Sequence, residues 1–418
     1  MISGLSHRAA QAALLAGALA CALAAGPAAA APYQATITRT AYGIPHIQAD
    51  DFASLGYGYG YAFAEDNLCT MLDDFVTTRG ERSRYFGPDG TYSIPAVPVT
   101  ASNLDSDFFW KLLADAPAVQ RFRDGTLPPA QQLTRGYADG FNRYLGELQA
   151  GQHPGAHAAC ASAPWLQPIT EDDLYRRYIR LALLASSEAL ITEIATAAPP
   201  APGAATPSDA AMAAHLARLP AGTQPFARLR QKAMGSNMMA LGPDATENGT
   251  PIVYGNPHFP WTGSERLYPV HLTVPGQMDV AGVSLYGSPI VLIGYNDHVA
   301  WSHTVSTAYR FTLYQLTLDP GSPTRYRYTD EHGRRTVKDL QAVPLTVAVK
   351  QANGSLGSAS RTLYRSMYGP MVIIQEGGVP VLGWTGRTAF TLRDANLENN
   401  RLRSEEHTSE LQSRVDIS

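Results

Sequence analysis

The sequence predicts an α+β chain in which helices come first and strands follow. Apolar residues recur at helical spacing through most of the first half. A stretch rich in Ala, Pro, Gly, Ser and Thr then runs from about Ala197 to Pro220, and dense strand-like text follows Gly235. At 418 residues, burying a core poses no difficulty. The net charge of −4, with no run of Lys or Arg longer than two, gives no footprint for nucleic acid or an anionic membrane surface.

The chain opens with Arg8, a largely apolar run from Ala9 to Ala25, and the small residues Pro27 to Ala31. This pattern predicts a secretory signal peptide over residues 1–31 and export to the periplasm or beyond. An Ala-rich membrane span is the weaker reading, because Ala is barely hydrophobic enough to hold one. With the signal removed, Cys69 and Cys160 remain. An oxidising compartment permits them to pair, and the sequence leaves pairing and two free thiols both open.

Gln34 to Thr40 alternates as a strand. The Gly/Tyr run Gly56 to Ala64 leads into a helix carried by Leu68, Met71, Leu72 and Phe75. Asn103 to Leu148 is mainly helical, with Phe108, Phe109, Leu112 and Leu113, then Leu133, Tyr137, Phe141 and Tyr144, on one face. Thr170-Glu171-Asp172-Asp173 has the form of a capping box before Leu174, Tyr178 and Leu181.

Beyond Gly235, Met238 to Leu241 is a short apolar strand, and Glu247-Asn248-Gly249-Thr250 reads as a hairpin turn into Pro251 to Tyr254. Tyr268 to Val274 alternates, Ile290 to Gly294 is a buried run, and His298 to Val305 is a further strand. Tyr326 to Tyr328 and Arg335 to Val337 flank the turn Asp330 to Gly333. Leu345 to Val349 and Met371 to Ile374 continue the sheet.

The chemistry centres on Gly235-Ser236. No Gly-x-Ser-x-Gly elbow, His-Glu-x-x-His, phosphate-binding Gly-Lys loop or Cys-x-x-Cys occurs. A serine hydroxyl needs a base within hydrogen-bond reach. A break before Ser236 would give it a free α-amine with a pKa of about 7.7–8, able to accept the hydroxyl proton. One residue would then supply nucleophile and base. By residue type alone, Gly-Ser after a linker is an ordinary loop.

Seven ordered blocks change that weighting. They are Tyr42-Gly-Ile-Pro-His46, Gly58-Tyr-Gly-Tyr-Ala-Phe-Ala-Glu65-Asp66-Asn67, Arg79-Gly-Glu-Arg82, Gly235-Ser-Asn237, Asn256-Pro-His-Phe-Pro-Trp261, Trp301-Ser-His-Thr-Val305 and Arg393-Asp-Ala-Asn396. Together they cover residues 33–402 and resemble the penicillin acylase family of N-terminal-nucleophile hydrolases, in its acyl-homoserine lactone and aculeacin A acylase branch.

The resemblance implies a four-layer αββα fold, incomplete in this chain. It implies a helical α chain over 32–200, a spacer propeptide over 201–235, and the first part of a β chain over 236–402. It implies Ser236 as nucleophile and α-amine base, cleavage between Gly235 and Ser236, His258 as the histidine that orients the amine, and the Val305 backbone N–H as an oxyanion donor. Phe259 and Trp261 are expected to line an acyl pocket or to be ordinary packing. His298 and His303 have no third partner in the sequence, so no metal is expected, and no other cofactor. Some family members hold calcium, but no acidic ligand set matches here.

Two departures stand out. The family's second oxyanion donor, an asparagine side chain far along the β chain, has no counterpart, and Asn396, Asn399 and Asn400 lie in another block. Arg403 to Ser413 resembles a translated sequencing adapter, so 403–418 is expected to be a non-native tail and the chain as written an inactive piece of an acylase. The expected activity of the whole product is hydrolysis of long-chain N-acyl amides, such as acyl-homoserine lactones or lipopeptides. The expected partners are that small-molecule substrate and the α and β chains of one precursor, with no nucleic acid and no membrane span. The alternatives are a penicillin acylase and a secreted binding protein without catalysis.

Overall fold

A computed structural model of the chain describes residues 33–94, 99–184, 186–201, 209–218, 235–305, 310–376 and 379–398. The expected signal peptide, most of the expected spacer and the expected tail lie outside these residues.

Strand β1 (Thr36–Arg39) turns into antiparallel β2 (Pro45–Gln48). Helix α1 (Phe52–Thr78) starts where the Asp51 carboxylate accepts the Ser54 N–H at 2.8 Å, an N-cap that satisfies a donor the helix cannot. The Gly/Tyr run therefore lies inside the helix instead of ahead of it. The reason is its partner, α5, which follows the short α2 (Arg82–Phe86), the hairpin β3 (Thr91–Ile94) and β4 (Val99–Ser102), α3 (Asn103–Leu113) and α4 (Ala116–Gly125). Helix α5 (Pro128–Gln149) lays Gly136 and Gly140 against α1. A methyl on Gly60 would sit 2.0 Å from the Tyr137 carbonyl oxygen, and one on Gly140 would sit 1.9 Å from that of Tyr57. Gly56, Gly60, Gly136 and Gly140 let two backbones touch, which outweighs the weak helix propensity of glycine. At Asn67, φ −138° and ψ 20° break the helical path and bend α1.

Helix α6 (Glu171–Leu183) opens with the expected capping box between Thr170 and Asp173. A short 3₁₀ turn (Ser187–Leu190) and α7 (Ile191–Ala195) follow. Helix α8 (Asp209–Arg218) falls in the stretch read as linker. Its alanines explain that helix, since Ala has the best helix propensity.

The strands after Gly235 are β5 (Gly235–Leu241), β6 (Ile252–His258), β7 (Leu267–Val274), β8 (Met278–Leu285), β9 (Ile293–Tyr295) and β10 (Ala300–Trp301). Then come β11 (Phe311–Asp319), β12 (Ser322–Thr329), β13 (Arg335–Asp339), β14 (Gln341–Lys350) and β15 (Leu356–Ser366). The series ends with β16 (Gly369–Val372), β17 (Ile374–Glu376), β18 (Val379–Leu382), β19 (Thr388–Asp394) and the short α9 (Ala395–Glu398).

A six-stranded sheet has the order β1-β2-β7-β8-β9-β10, and β2 runs parallel to β7. A seven-stranded sheet has the order β13-β12-β11-β19-β16-β15-β14. The pairs β3-β4, β17-β18 and β5-β6 stand as two-stranded ribbons. The mix of helices and sheets is α+β, as expected. The strand expected over His298 to Val305 shrinks to Ala300–Trp301. The Asn296 side chain accepts the N–H groups of His298 and Val299 at 2.8 and 2.9 Å, a local turn that competes with strand pairing.

One large apolar core joins α1, α3, α5 and α6 to β7 and β8. A smaller one forms around Leu316, Tyr326, Met371 and Trp384. Cys69 and Cys160 are disulfide-bonded, which resolves the choice that the sequence left open.

A buried ionic cluster ties residues before Gly235 to residues after it. The Arg177 guanidinium, fully buried, donates to the carbonyls of Tyr286 and Ser264 at 2.9 and 2.8 Å and pairs with Asp74 at 3.2 Å. Arg180 contacts Asp74 and pairs with Glu188 at 3.0 Å and Glu265 at 2.9 Å. Burial opposes ionisation of both glutamates. Arg180 and Arg177 outweigh it at Glu265, whose pKa is lowered, whereas burial prevails at Glu188 and pushes its pKa up to about 7.

Candidate active site

Strand β5 begins at Gly235, so Ser236 sits at the head of the β5-β6 ribbon. The register sets Gly235 opposite His258, Ser236 opposite Pro257 and Asn237 opposite Asn256. Side chains alternate across a strand, so His258, Asn237 and Asn256 share one face with Gly235, while the Ser236 side chain lies on the other. The Ser236 hydroxyl donates to the carbonyl oxygen of Gly235, the group of the peptide bond just before it.

His258 is exposed. Its Nε2 lies 3.3 Å from Asn237 Nδ2 and 3.2 Å from Asn256 Nδ2. Amide nitrogens only donate, so Nε2 accepts and the imidazole proton belongs on Nδ1. That nitrogen faces Gly235: a methyl added there would lie 3.2 Å from it. The two asparagines were not singled out from the sequence as site residues, yet both stand inside the quoted blocks with Ser236 and His258. That shared placement was the available signal.

The other half of the site is the segment after β10. A methyl on Gly255 would lie 2.6 Å from Ser302 Oγ, so this glycine lets β6 approach that segment closely. The result is a cleft of about 680 Å³ lined by Ser236, Asn237, Met238, Met239, Tyr254, Asn256, Thr304 and Val305. Its size suits a small organic ligand. Ser236 and Val305, 69 residues apart in sequence by their numbers, thus meet in one cavity. The strand read as apolar is not buried: Met239 is 61% exposed and Tyr254 55%.

Phe259 and Trp261 do not line this cleft. Phe259 packs, half-buried, against the main core, and Trp261 is 91% exposed. His303 is half-buried, and burial lowers its pKa despite a hydrogen bond with the Leu292 backbone. His298 lies on the exposed turn after Asn296. Among the described residues, no group of three or more His, Cys, Asp or Glu is arranged to hold a metal ion. Asn396 donates to the Ala182 carbonyl at 2.6 Å, which anchors α9 to α6. A larger polar cleft of about 900 Å³, lined by Arg79, Lys111, Asp173 and Arg176 among others, contains none of the expected site residues. No described helix is long and apolar enough to cross a membrane.

Comparison with known proteins agrees with the blocks. An acyl-homoserine lactone acylase PvdQ of Pseudomonas syringae pv. syringae (strain B728a) is 42% identical over 369 residues, covering 88% of this chain and 44% of that protein. The aculeacin-A acylase of Actinoplanes utahensis is 40% identical over 373 residues, with the same coverage of 88% and 44%. The chain therefore spans less than half the length of these relatives. A solved structure of thermostable penicillin G acylase from Alcaligenes faecalis aligns at 24% identity and a TM-score of 0.31, covering 38% of this chain and 76% of that one. The penicillin amidase family model matches residues 34–417, and the chain belongs to that family.

Proposed function

We propose that the whole gene product is an exported N-acyl amide hydrolase that matures by cutting its own chain between Gly235 and Ser236. The observation that carries this reading is the contact of the Ser236 hydroxyl with the Gly235 carbonyl, inside a cleft shared with Val305. In the maturation step Ser236 Oγ attacks the Gly235 carbonyl carbon and the peptide C–N bond breaks, leaving an ester. Water then hydrolyses the ester, giving a Gly235 carboxylate and a free Ser236 amine and hydroxyl.

In turnover the Ser236 amine takes the hydroxyl proton, Oγ forms an acyl-enzyme with the substrate carbonyl, and the substrate amine departs with a proton. Water completes hydrolysis. The proton placement inferred for His258 supports a role beside the cut peptide, where Nδ1–H faces the Gly235 backbone. The Val305 backbone N–H is the proposed oxyanion donor, a contribution of about 3 kcal/mol when well aimed.

The substrate class is a long-chain N-acyl amide, such as an acyl-homoserine lactone or a lipopeptide. The names of the 42% and 40% identical relatives favour it, as do Met238, Met239 and Tyr254, which give the cleft an apolar wall. The α and β chains of a four-layer αββα enzyme would remain together through the buried Arg180–Glu265 pair and the hydrogen bonds that Arg177 donates to the Ser264 and Tyr286 carbonyls. The test is release of free amine from N-acyl-homoserine lactones of graded chain length by the whole gene product. Activity that rises with chain length supports the class. Turnover confined to penicillins contradicts it.

A further inference from the structure

We propose that His46 and His271 form a binding site for a divalent transition-metal ion of the copper or nickel type. The two residues are 225 positions apart, and the parallel pairing of β2 with β7 makes them direct neighbours. Their Nδ1 atoms lie 2.8 Å apart, with the rings edge to face at an interplanar angle of 84°. Two nitrogens bound to one ion at about 2.0–2.1 Å, at the right angle of the square-planar geometry that Cu²⁺ and Ni²⁺ favour, would be about 2.9 Å apart. The pair therefore already stands at the spacing of neighbouring ligands in a coordination shell.

Asp279, on the next strand, fixes one of the two rings. Its Oδ1 lies 2.5 Å from His271 Nε2 and accepts from Thr273 Oγ1 at 3.2 Å. A carboxylate only accepts, so His271 Nε2 carries the proton and its Nδ1 presents a lone pair. A carboxylate behind a histidine, fixing tautomer and ring orientation, is the usual outer partner of a metal ligand. In the metal-free pair His46 Nδ1–H donates to His271. Binding needs that proton on the other ring nitrogen of exposed His46, an exchange that water can mediate.

Two protein nitrogens leave the other coordination positions to water. Imidazole pairs suit Cu²⁺ and Ni²⁺, and the general order of affinities puts Cu²⁺ first. Strand β2 precedes the Gly235–Ser236 bond and β7 follows it, so an ion here would also clip the two pieces of a cut chain. That consequence rests on the cleavage reading, whereas the binding site does not.

The experiment titrates Cu²⁺ alone into the full chain, read by calorimetry and by electron paramagnetic resonance, and repeats it on the uncut Ser236→Ala protein. The expected result is one site with two imidazole nitrogens in both proteins. Affinity should fall at least about tenfold in His46→Ala and in His271→Ala, and by about tenfold or more in Asp279→Asn. His298→Ala should leave it unchanged. His46→Gln and His271→Gln serve where an alanine variant shifts the metal-free melting curve. Undiminished affinity in a folded protein lacking both histidines, or a spectrum without imidazole nitrogen, would overturn the assignment. Because the uncut protein is measured too, a failure of the cleavage reading is seen separately.

Discussion

In the proposed maturation Ser236 acts on the bond that makes it terminal, so its substitution should have two consequences at once. Ser236→Ala is expected to remain a single chain on a denaturing gel and to lose turnover by several orders of magnitude. Gly235→Ala tests a finer point. Its methyl would press on His258 Nδ1 from 3.2 Å, and exposed His258 can give way. The fold should survive with an unchanged melting temperature while cutting, followed by gel over time, slows. Both residues were legible as candidates in the sequence because they are adjacent and stand in a recognisable block. His46 with His271 was not, since only a parallel strand pairing brings them together and no local pattern encodes it.

Helices α1 and α5 show how an element can be read correctly yet bounded wrongly. The Gly/Tyr repeat reads as leading into a helix instead of lying within it, because glycine is a poor helix former. The repeat matters instead for contact: Gly56 and Gly60 face a matching pair on α5, and that pairing is visible only once the two helices are set side by side. Gly60→Ala should therefore destabilise the protein by about 1–3 kcal/mol or more through overpacking, read as a lowered melting temperature. Gly255→Ala should behave differently. It pushes β6 away from Ser302, so activity should drop while the melting temperature changes little, since the β5-β6 ribbon is largely exposed. The ribbon's turn was legible from Asn248-Gly249, and Gly249 indeed takes φ +68°. That the strand would be exposed was not, because apolar composition alone implies burial.

At the scale of the molecule, the order of helices before strands was legible from hydrophobic period. The sheet orders were not, because pairings such as β11 with β19 join distant segments. The buried ionic cluster was equally hidden, for it gathers Asp74, Arg177, Arg180, Glu188 and Glu265 from well-separated segments. Its pH behaviour follows from Glu188. Burial raises this carboxyl from 4.5 to about 7, so the folded state holds a proton that the unfolded chain releases. Stability from this group is full below about pH 4.5 and is lost as pH rises towards 7. Glu188→Gln, which mimics the protonated form, should flatten that decline in melting temperature between those pH values. An identical slope in both proteins would assign it elsewhere.

The most direct measurement is the N-terminal sequence and intact mass of the chains in active, purified whole gene product. The account predicts two chains, one of them beginning Ser236-Asn237-Met238-Met239. Fully active material in which Gly235 and Ser236 are still joined would contradict it.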